Sequence, residues 1–162
     1  MMLTQERLKE VLAYDPVTGI FTNRFTRGHA VAGDVAGYVE TKGYVVITLD
    51  GKRYKAQRLA WFYMTGAWPV KQVDHENTVT SYNAWDNLRE ANNSQNKCNM
   101  GARADNKTGL KGVSIYKATG KYYAQIRKNG KVFNLGYFNC PAATSIAYQI
   151  AADKLHGEFA RI

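Results

Sequence analysis

Asp74 and His75 stand side by side, Asn87 follows twelve residues after the histidine, and Asn96 comes nine residues later. These are residue types that can hydrolyse a phosphodiester. That reaction needs an activated water, charge neutralisation on the phosphate and stabilisation of the departing 3′ oxygen. A histidine takes a proton from water near neutral pH because its ordinary pKa is about 6.5. A carboxylate and an asparagine carbonyl are hard oxygen donors suited to Mg²⁺, an ion that polarises phosphate and takes up leaving-group charge. On one strand Asp74 and His75 point to opposite sides, so they serve a single centre only where that strand ends or twists.

The surrounding residues predict the elements that position these groups. Thr4 is an N-cap residue type, and Leu8, Val11 and Leu12 give a helical apolar stripe to about residue 13. Asp15-Pro16-Val17-Thr18-Gly19 is turn chemistry, with an extended segment starting at Ile20-Phe21. Tyr44–Leu49 alternates as a strand, Asp50-Gly51 turns it into Lys52–Ala56, and a helix is expected from near Arg58 to Met64, stopped by Gly66 and Pro69. One strand then ends at Asp74-His75, a second covers Leu88–Ala91, and Asn92 or Asn93 caps a short helix carrying Asn96. The predicted organisation is a first module at residues 1–100, a polar linker at 101–109 and a second module at 110–162.

The second module reads as three strands, Leu110–Lys117, Tyr122–Lys128 and Lys131–Phe138, joined by Thr119-Gly120 and Asn129-Gly130. Alternation places Val113, Ile115, Tyr122, Ala124, Ile126, Phe133 and Leu135 on one face. Ser114, Tyr116, Tyr123, Gln125, Arg127, Val132 and Asn134 fall on the other. Pro141 opens a helix whose Ala143, Ile146, Ala147, Ile150 and Ala151 are expected to cover the first face. The second face stays open, flanked by Lys111, Lys117, Lys121, Lys128 and Lys131. A sheet with one covered and one basic face suits the strand-in-major-groove mode of reading DNA. The fold class is therefore α+β.

Charge points to the same partner. The formal net charge is +9, and residues 101–162 hold ten Lys/Arg against three Asp/Glu, a surplus of seven, with no acidic side chain between Asp105 and Asp153. Such a field attracts polyanions, and double-stranded DNA is the densest common one. No apolar run approaches the length of a membrane span, and MMLTQERLKE is too polar for a secretory signal, so no membrane partner is expected. Cys98 and Cys140 are too few for a disulfide framework or a structural zinc site, and the default is a reducing cytoplasm with both thiols as packing residues. Trp61, Trp68 and Trp85 read as core, and His29 as a surface residue. His156 is expected just after the last helix, closing the small module.

The set Arg58-Leu59-Ala60-Trp61, Gly66, Pro69, Val73-Asp74-His75, Asn83, Asn87-Leu88-Arg89 and Asn96, with the Leu3–Leu8 region and the Asp15-Pro16 turn, resembles phage HNH endonucleases of the homing type. The resemblance implies a ββα-metal module in which Asp74 and Asn96 hold one Mg²⁺ or Mn²⁺ ion. It makes His75 the general base, and makes Asn87 a residue that ties the catalytic loop to neighbouring backbone. Arg58 and Arg89 are then candidates to position the duplex. The segments from Gly109-Leu110-Lys111-Gly112-Val113 through Leu135-Gly136-Tyr137-Phe138 to Leu155-His156-Gly157-Glu158-Phe159-Ala160 are similar to the ethylene-response-factor type of DNA-binding domain. In that family the open sheet face enters the major groove, which makes Ser114, Tyr116, Tyr123, Gln125, Arg127 and Asn134 the expected DNA contacts, and the flanking Lys111 is expected to join them. Gln125 is a residue type that pairs with an adenine edge, and Arg127 with a guanine edge.

The implied function is metal-dependent hydrolysis of double-stranded DNA in a bacterial host cytoplasm. One active site per chain favours nicking by a monomer, and a double-strand break would need a DNA-templated dimer. Three positions depart from the pattern: Gln57 where histidine is common, Thr78 where glycine is usual, and Tyr82 before Asn83. They motivate an alternative, a sequence-specific DNA-binding protein with a decayed nuclease site. An RNA-directed nuclease is the third reading; duplex DNA is preferred over it because the open face offers few aromatic stacking positions.

Overall fold

The structure, a computed structural model, describes residues 3–161. Its chain forms two compact units, Met1–Ala91 and Asn92–Ile162. No helix among the described residues is long and apolar enough to cross a membrane.

In the first unit, α1 (Gln5–Val11) begins at Thr4, whose hydroxyl accepts from Arg7 N. The expected helix to residue 13 stops earlier, because Leu12–Tyr14 is already strand β1, paired antiparallel with β2 (Phe21–Asn23). A three-stranded sheet follows, β3 (Tyr38–Val39), β4 (Val45–Leu49) and β5 (Lys52–Lys55), in that spatial order. Asp50 adopts φ 46° at the β4–β5 turn, the left-handed geometry that two-residue hairpins demand. Helix α2 (Ala56–Thr65) starts two residues before the sequence expectation and ends at Gly66. Leu8, Val11, Leu12, Ile47, Leu49, Leu59 and Ala60 build the core between α1, α2 and the sheet. Trp68 stacks on Phe62 with ring centroids 4.4 Å apart and, like Trp61, packs against the core as expected, while Trp85 lies 5.2 Å from Trp61. The last hairpin of the unit is β6 (Gln72–His75) against β7 (Leu88–Ala91), with Asp74 opposite Arg89 and His75 opposite Leu88.

The second unit opens with α3 (Asn93–Asn99), capped by Asn92. Its side chain accepts from Ser94 N and Gln95 N while Gln95 Oε1 accepts from Asn92 N. This is a capping box. The division at Ala91 therefore places α3 in the second unit, whereas the sequence reading kept it with the first module to residue 100. Strands β8 (Val113–Ile115), β9 (Tyr122–Lys128) and β10 (Lys131–Phe138) form the expected antiparallel sheet, with β9 central and β8 shorter than its predicted span. Helix α4 (Pro141–His156) packs on it, and His156 is the last residue of that helix rather than a residue beyond it.

Two expectations for this sheet are corrected. Helix α4 turns Thr144, Tyr148 and Ala152 inward, while Ile146 and Ile150, the expected inner residues, are 55% and 53% exposed. The reason lies at Gly112. A Cβ there would stand 2.0 Å from the Tyr148 ring, so the ring occupies space that only glycine leaves open. Second, a bulge between Asn134 and Gly136 shifts the β10 register, pairing Gly136 with Ala124 and Tyr137 with Tyr123. One extra residue reverses which side chains face which way beyond it. Tyr137 consequently lies on the open face, where simple alternation would not place it. The helix covers the middle of the other face, Val113, Ala124 and Ile126, and leaves Ile115 and Phe133 exposed at its edges.

Candidate active site

His75 closes β6 and, with Val73, faces inward, while Asp74 points the other way. This is the alternation a strand imposes. The imidazole is 3% exposed and its Nε2 lies 3.0 Å from Oδ1 of buried Asn83. Asn83 Nδ2 donates to the Ser81 carbonyl at 3.1 Å, which fixes the amide with its oxygen towards the ring. An amide oxygen only accepts, so His75 Nε2 is the donor in this pair. Burial lowers the His75 pKa below its ordinary value. The Asn83 hydrogen bond and Asp74 act in the opposite direction, and Lys55 lowers it further. The ring is thus neutral at pH 7, the state a general base requires.

The loop between β6 and β7 is held by Asn87. Its Oδ1 accepts from Asn77 N at 3.0 Å, its Nδ2 donates to the Tyr82 carbonyl at 2.8 Å, and its own carbonyl accepts from Glu76 N at 2.9 Å. One side chain therefore ties both ends of the loop that carries Asn83. A second support comes from the Asp15–Gly19 turn. Trp85 N donates to the Pro16 carbonyl at 2.8 Å, and Tyr14 Oη donates to the Asn83 carbonyl at 2.7 Å. Gly19 lies against the Asn83–Ala84 peptide so closely that a Cβ would sit 2.2 Å from it.

Thr78 takes φ 64° in this loop. A β-branched residue is strained in the left-handed region by roughly 1–2 kcal/mol. Thr78→Gly relieves that strain and gives part of the gain back as chain entropy in the unfolded state. The expected result is a net stabilisation of about 1 kcal/mol, read from denaturant unfolding of the two proteins.

Two residues that motif reasoning missed also meet the histidine. Tyr44 lies 6.1 Å from the His75 ring, and Lys55 Nζ sits 3.5 Å above the centroid of Tyr44. Neither belongs to a spaced motif, and only the β4–β5 pairing brings them here. Because burial and Lys55 keep His75 neutral, cleavage rates should be level across neutrality and fall only below pH 6.5, the unfolded value. The stability contribution has the same sign, since a depressed pKa gives stability that is present above about 6.5 and lost as the pH falls. Lys55→Gln removes one depressing charge and should move the acid limb of a pH–rate profile to higher pH.

Asp74 is engaged by Arg89, whose Nε and one terminal nitrogen both lie 3.4 Å from Oδ2. Arg89, expected as a DNA contact, is thus a neighbour of the carboxylate. Arg58 is half-buried, with its guanidinium 5.9 Å from the Trp68 ring centroid, and Gln57 is buried. Asn96 lies on α3, in the second unit. Among the described residues no group of three or more His, Cys, Asp or Glu converges as a metal cage. The Asp74 carboxylate is by itself a hard oxygen donor of the kind that holds Mg²⁺ together with several waters and substrate phosphate.

Residues 54–98 match the HNH endonuclease family model. No curated protein and no solved structure matches the chain. The HNH segment runs from Tyr54 in β5 through α2 and the β6–β7 hairpin to Cys98 in α3, so it holds Asp74, His75, Asn83, Asn87 and Asn96. It supports a nuclease acting on DNA for this part of the chain. A cavity of about 550 Å³ in the first unit lies apart from this chemistry; Asn23, Arg27, His29 and Asp34 are among its lining residues, and none of the His75 cluster is.

Of the expected DNA contacts in the second unit, Tyr116, Gln125, Arg127 and Asn134 are exposed, and Ser114 and Tyr123 are half-buried on the open face. Lys111 departs from the expectation. Its Nζ donates to the carbonyls of Cys98 and Arg161, and burial lowers its pKa. Cys98 Sγ lies 3.4 Å from His156 Nδ1, and exposed Cys140 caps α4 through its sulfur. Cys98 and His156 thus serve packing within the second unit.

Proposed function

We propose that the chain is a metal-dependent DNA endonuclease of the HNH homing type that hydrolyses one phosphodiester per active site. The observation that carries this reading is His75 at the end of β6, beside Asp74 and with its Nε2 3.0 Å from Asn83 Oδ1, within the segment that matches the HNH model. The His75 imidazole takes a proton from water as the water oxygen bonds to phosphorus. The bond from phosphorus to the 3′ oxygen breaks, and solvent protonates that oxygen, leaving a 5′ phosphate and a 3′ hydroxyl. When bound, a single Mg²⁺ or Mn²⁺ ion supplies charge neutralisation at the phosphate and at the departing oxygen. Asp74 is its proposed carboxylate ligand, and Asn96 its proposed amide ligand on the strength of the motif spacing. Asn87 holds the loop, and Arg89 keeps the Asp74 carboxylate oriented on the adjoining strand. The open, basic face of the C-terminal sheet, of the ethylene-response-factor type, holds the DNA. A phage gene acting on bacterial host DNA is the setting that the motif set suggests, with a monomer nicking one strand.

The second reading, a DNA-binding protein with a decayed nuclease site, is favoured by the sealing of His75 to 3% exposure and by the Thr78 backbone at φ 64°. Supercoiled plasmid incubated with Mg²⁺ or Mn²⁺, against an EDTA control, separates the two. Metal-dependent nicking supports the endonuclease. Intact plasmid together with a gel shift of duplex DNA supports the binding protein.

A further inference from the structure

The open face of the C-terminal sheet carries an aromatic cluster. The bulge before Gly136 turns Tyr137 onto the side of Tyr123, its direct partner across β9–β10. The Tyr137 ring lies 5.8 Å from that of Tyr123 and 5.4 Å from that of Tyr116. Tyr116 and Tyr137 are 43% and 52% exposed, so their rings present apolar surface to water rather than to a core. Exposed aromatic patches of this kind mark binding surfaces. Cations surround the patch. Lys117 and Lys121 are exposed on either side of the turn after Tyr116, where Tyr116 N donates to the Lys121 carbonyl at 2.8 Å, and exposed Arg127 shares the face one pair away from Asn134. No acidic residue occurs between Asp105 and Asp153 to oppose them.

A duplex offers its grooves base edges and thymine methyls, and hides base faces in the stack. Clustered rings on a basic sheet match the opposite presentation, bases splayed from the stack and laid against aromatic side chains. Tyrosine supplies that surface with little conformational freedom to lose. We infer that this face binds a locally unpaired stretch of DNA, with Tyr116, Tyr123 and Tyr137 as the stacking platform and Lys117, Lys121 and Arg127 on the backbone. The choice of DNA over RNA rests on the endonuclease reading above; the preference for unpaired bases rests on the tyrosines alone.

The test uses the full chain in EDTA and fluorescence anisotropy with four labelled probes of one sequence. They are a continuous duplex, the same duplex with a short central run of mismatches, the single DNA strand, and the single RNA strand. The expected result is tighter binding to the mismatched duplex and to single-stranded DNA than to continuous duplex. Tyr137→Ala should weaken binding to those two about 10-fold, within the range for losing one base–aromatic stack, and leave the continuous duplex little changed. Tyr137→Phe keeps the ring and should keep the preference. Preference for continuous duplex, or an equal loss on every probe in Tyr137→Ala, overturns the inference. Tighter binding to RNA than to single-stranded DNA overturns the choice of DNA. Failure of the wild-type chain to bind any probe overturns the nucleic-acid role of the face and counts against the DNA-directed function itself.

Discussion

Replacing His75 by alanine should lower the proposed metal-dependent plasmid nicking about 100- to 10,000-fold, the range for losing a positioned general base, and should leave DNA binding in EDTA intact. The size of the effect follows from the geometry. The Asn83 oxygen orients the ring through Nε2, and burial lowers the His75 pKa, which favours the neutral form that a general base needs. Alanine also strands the Asn83 oxygen, a buried acceptor whose lost partner costs about 1–3 kcal/mol. The comparison is therefore made well below the variant's unfolding temperature. Free imidazole supplies a second readout. If it restores part of the nicking in the His75→Ala protein, the lost function is proton transfer rather than folding. A variant that nicks as fast as wild type would remove His75 from the mechanism.

Gly19→Ala should destabilise the first unit by about 3 kcal/mol, combining left-handed backbone strain with overpacking. Gly19 has φ 75°, and the new methyl would stand 2.2 Å from Ala84 N and Asn83 C. Both are backbone atoms, so no side-chain rotation makes room. The peptide that must retreat belongs to Asn83, the partner of His75, and the neighbouring contacts from Tyr14 and Pro16 go with it. Against a typical domain stability of roughly 5–15 kcal/mol, such a loss is large. Thermal unfolding should show an earlier transition for this variant. Nicking should fall even at temperatures where the protein remains folded, because Asn83 no longer holds the ring. An unchanged midpoint together with full activity would show that the turn does not buttress the site.

Much of the framework was legible in the chain because it depends on neighbours in sequence. Asp50-Gly51 and Asn129-Gly130 make tight hairpin turns, with Asp50 and Asn129 at φ 46° and 50°, since their conformational preferences act locally. Thr4, Asn92 and Pro141 open helices for the same reason. The pairing of Val73, Asp74 and His75 with Glu90, Arg89 and Leu88 is equally local, because a hairpin delivers residues at fixed separations to adjoining strands.

What the chain alone did not decide are the encounters between distant segments. Helix α4 is apolar around much of its circumference, so periodicity could not choose between the Ile146–Ile150 stripe and the Thr144–Tyr148–Ala152 stripe. The gap at Gly112, filled by the Tyr148 ring, made the choice. A single bulged residue in β10 moved Tyr137 to the open face, where it joins Tyr116 and Tyr123. Lys55, Tyr44 and Asn83 reach His75 only through the packing of β4, β5 and the loop after β6. The sequence by itself determined which residues can do chemistry and which local turns present them. Tertiary structure decided the Asn83 partner of the histidine, the Arg89 neighbour of Asp74 and the composition of the open face, because each depends on distances that no local preference sets.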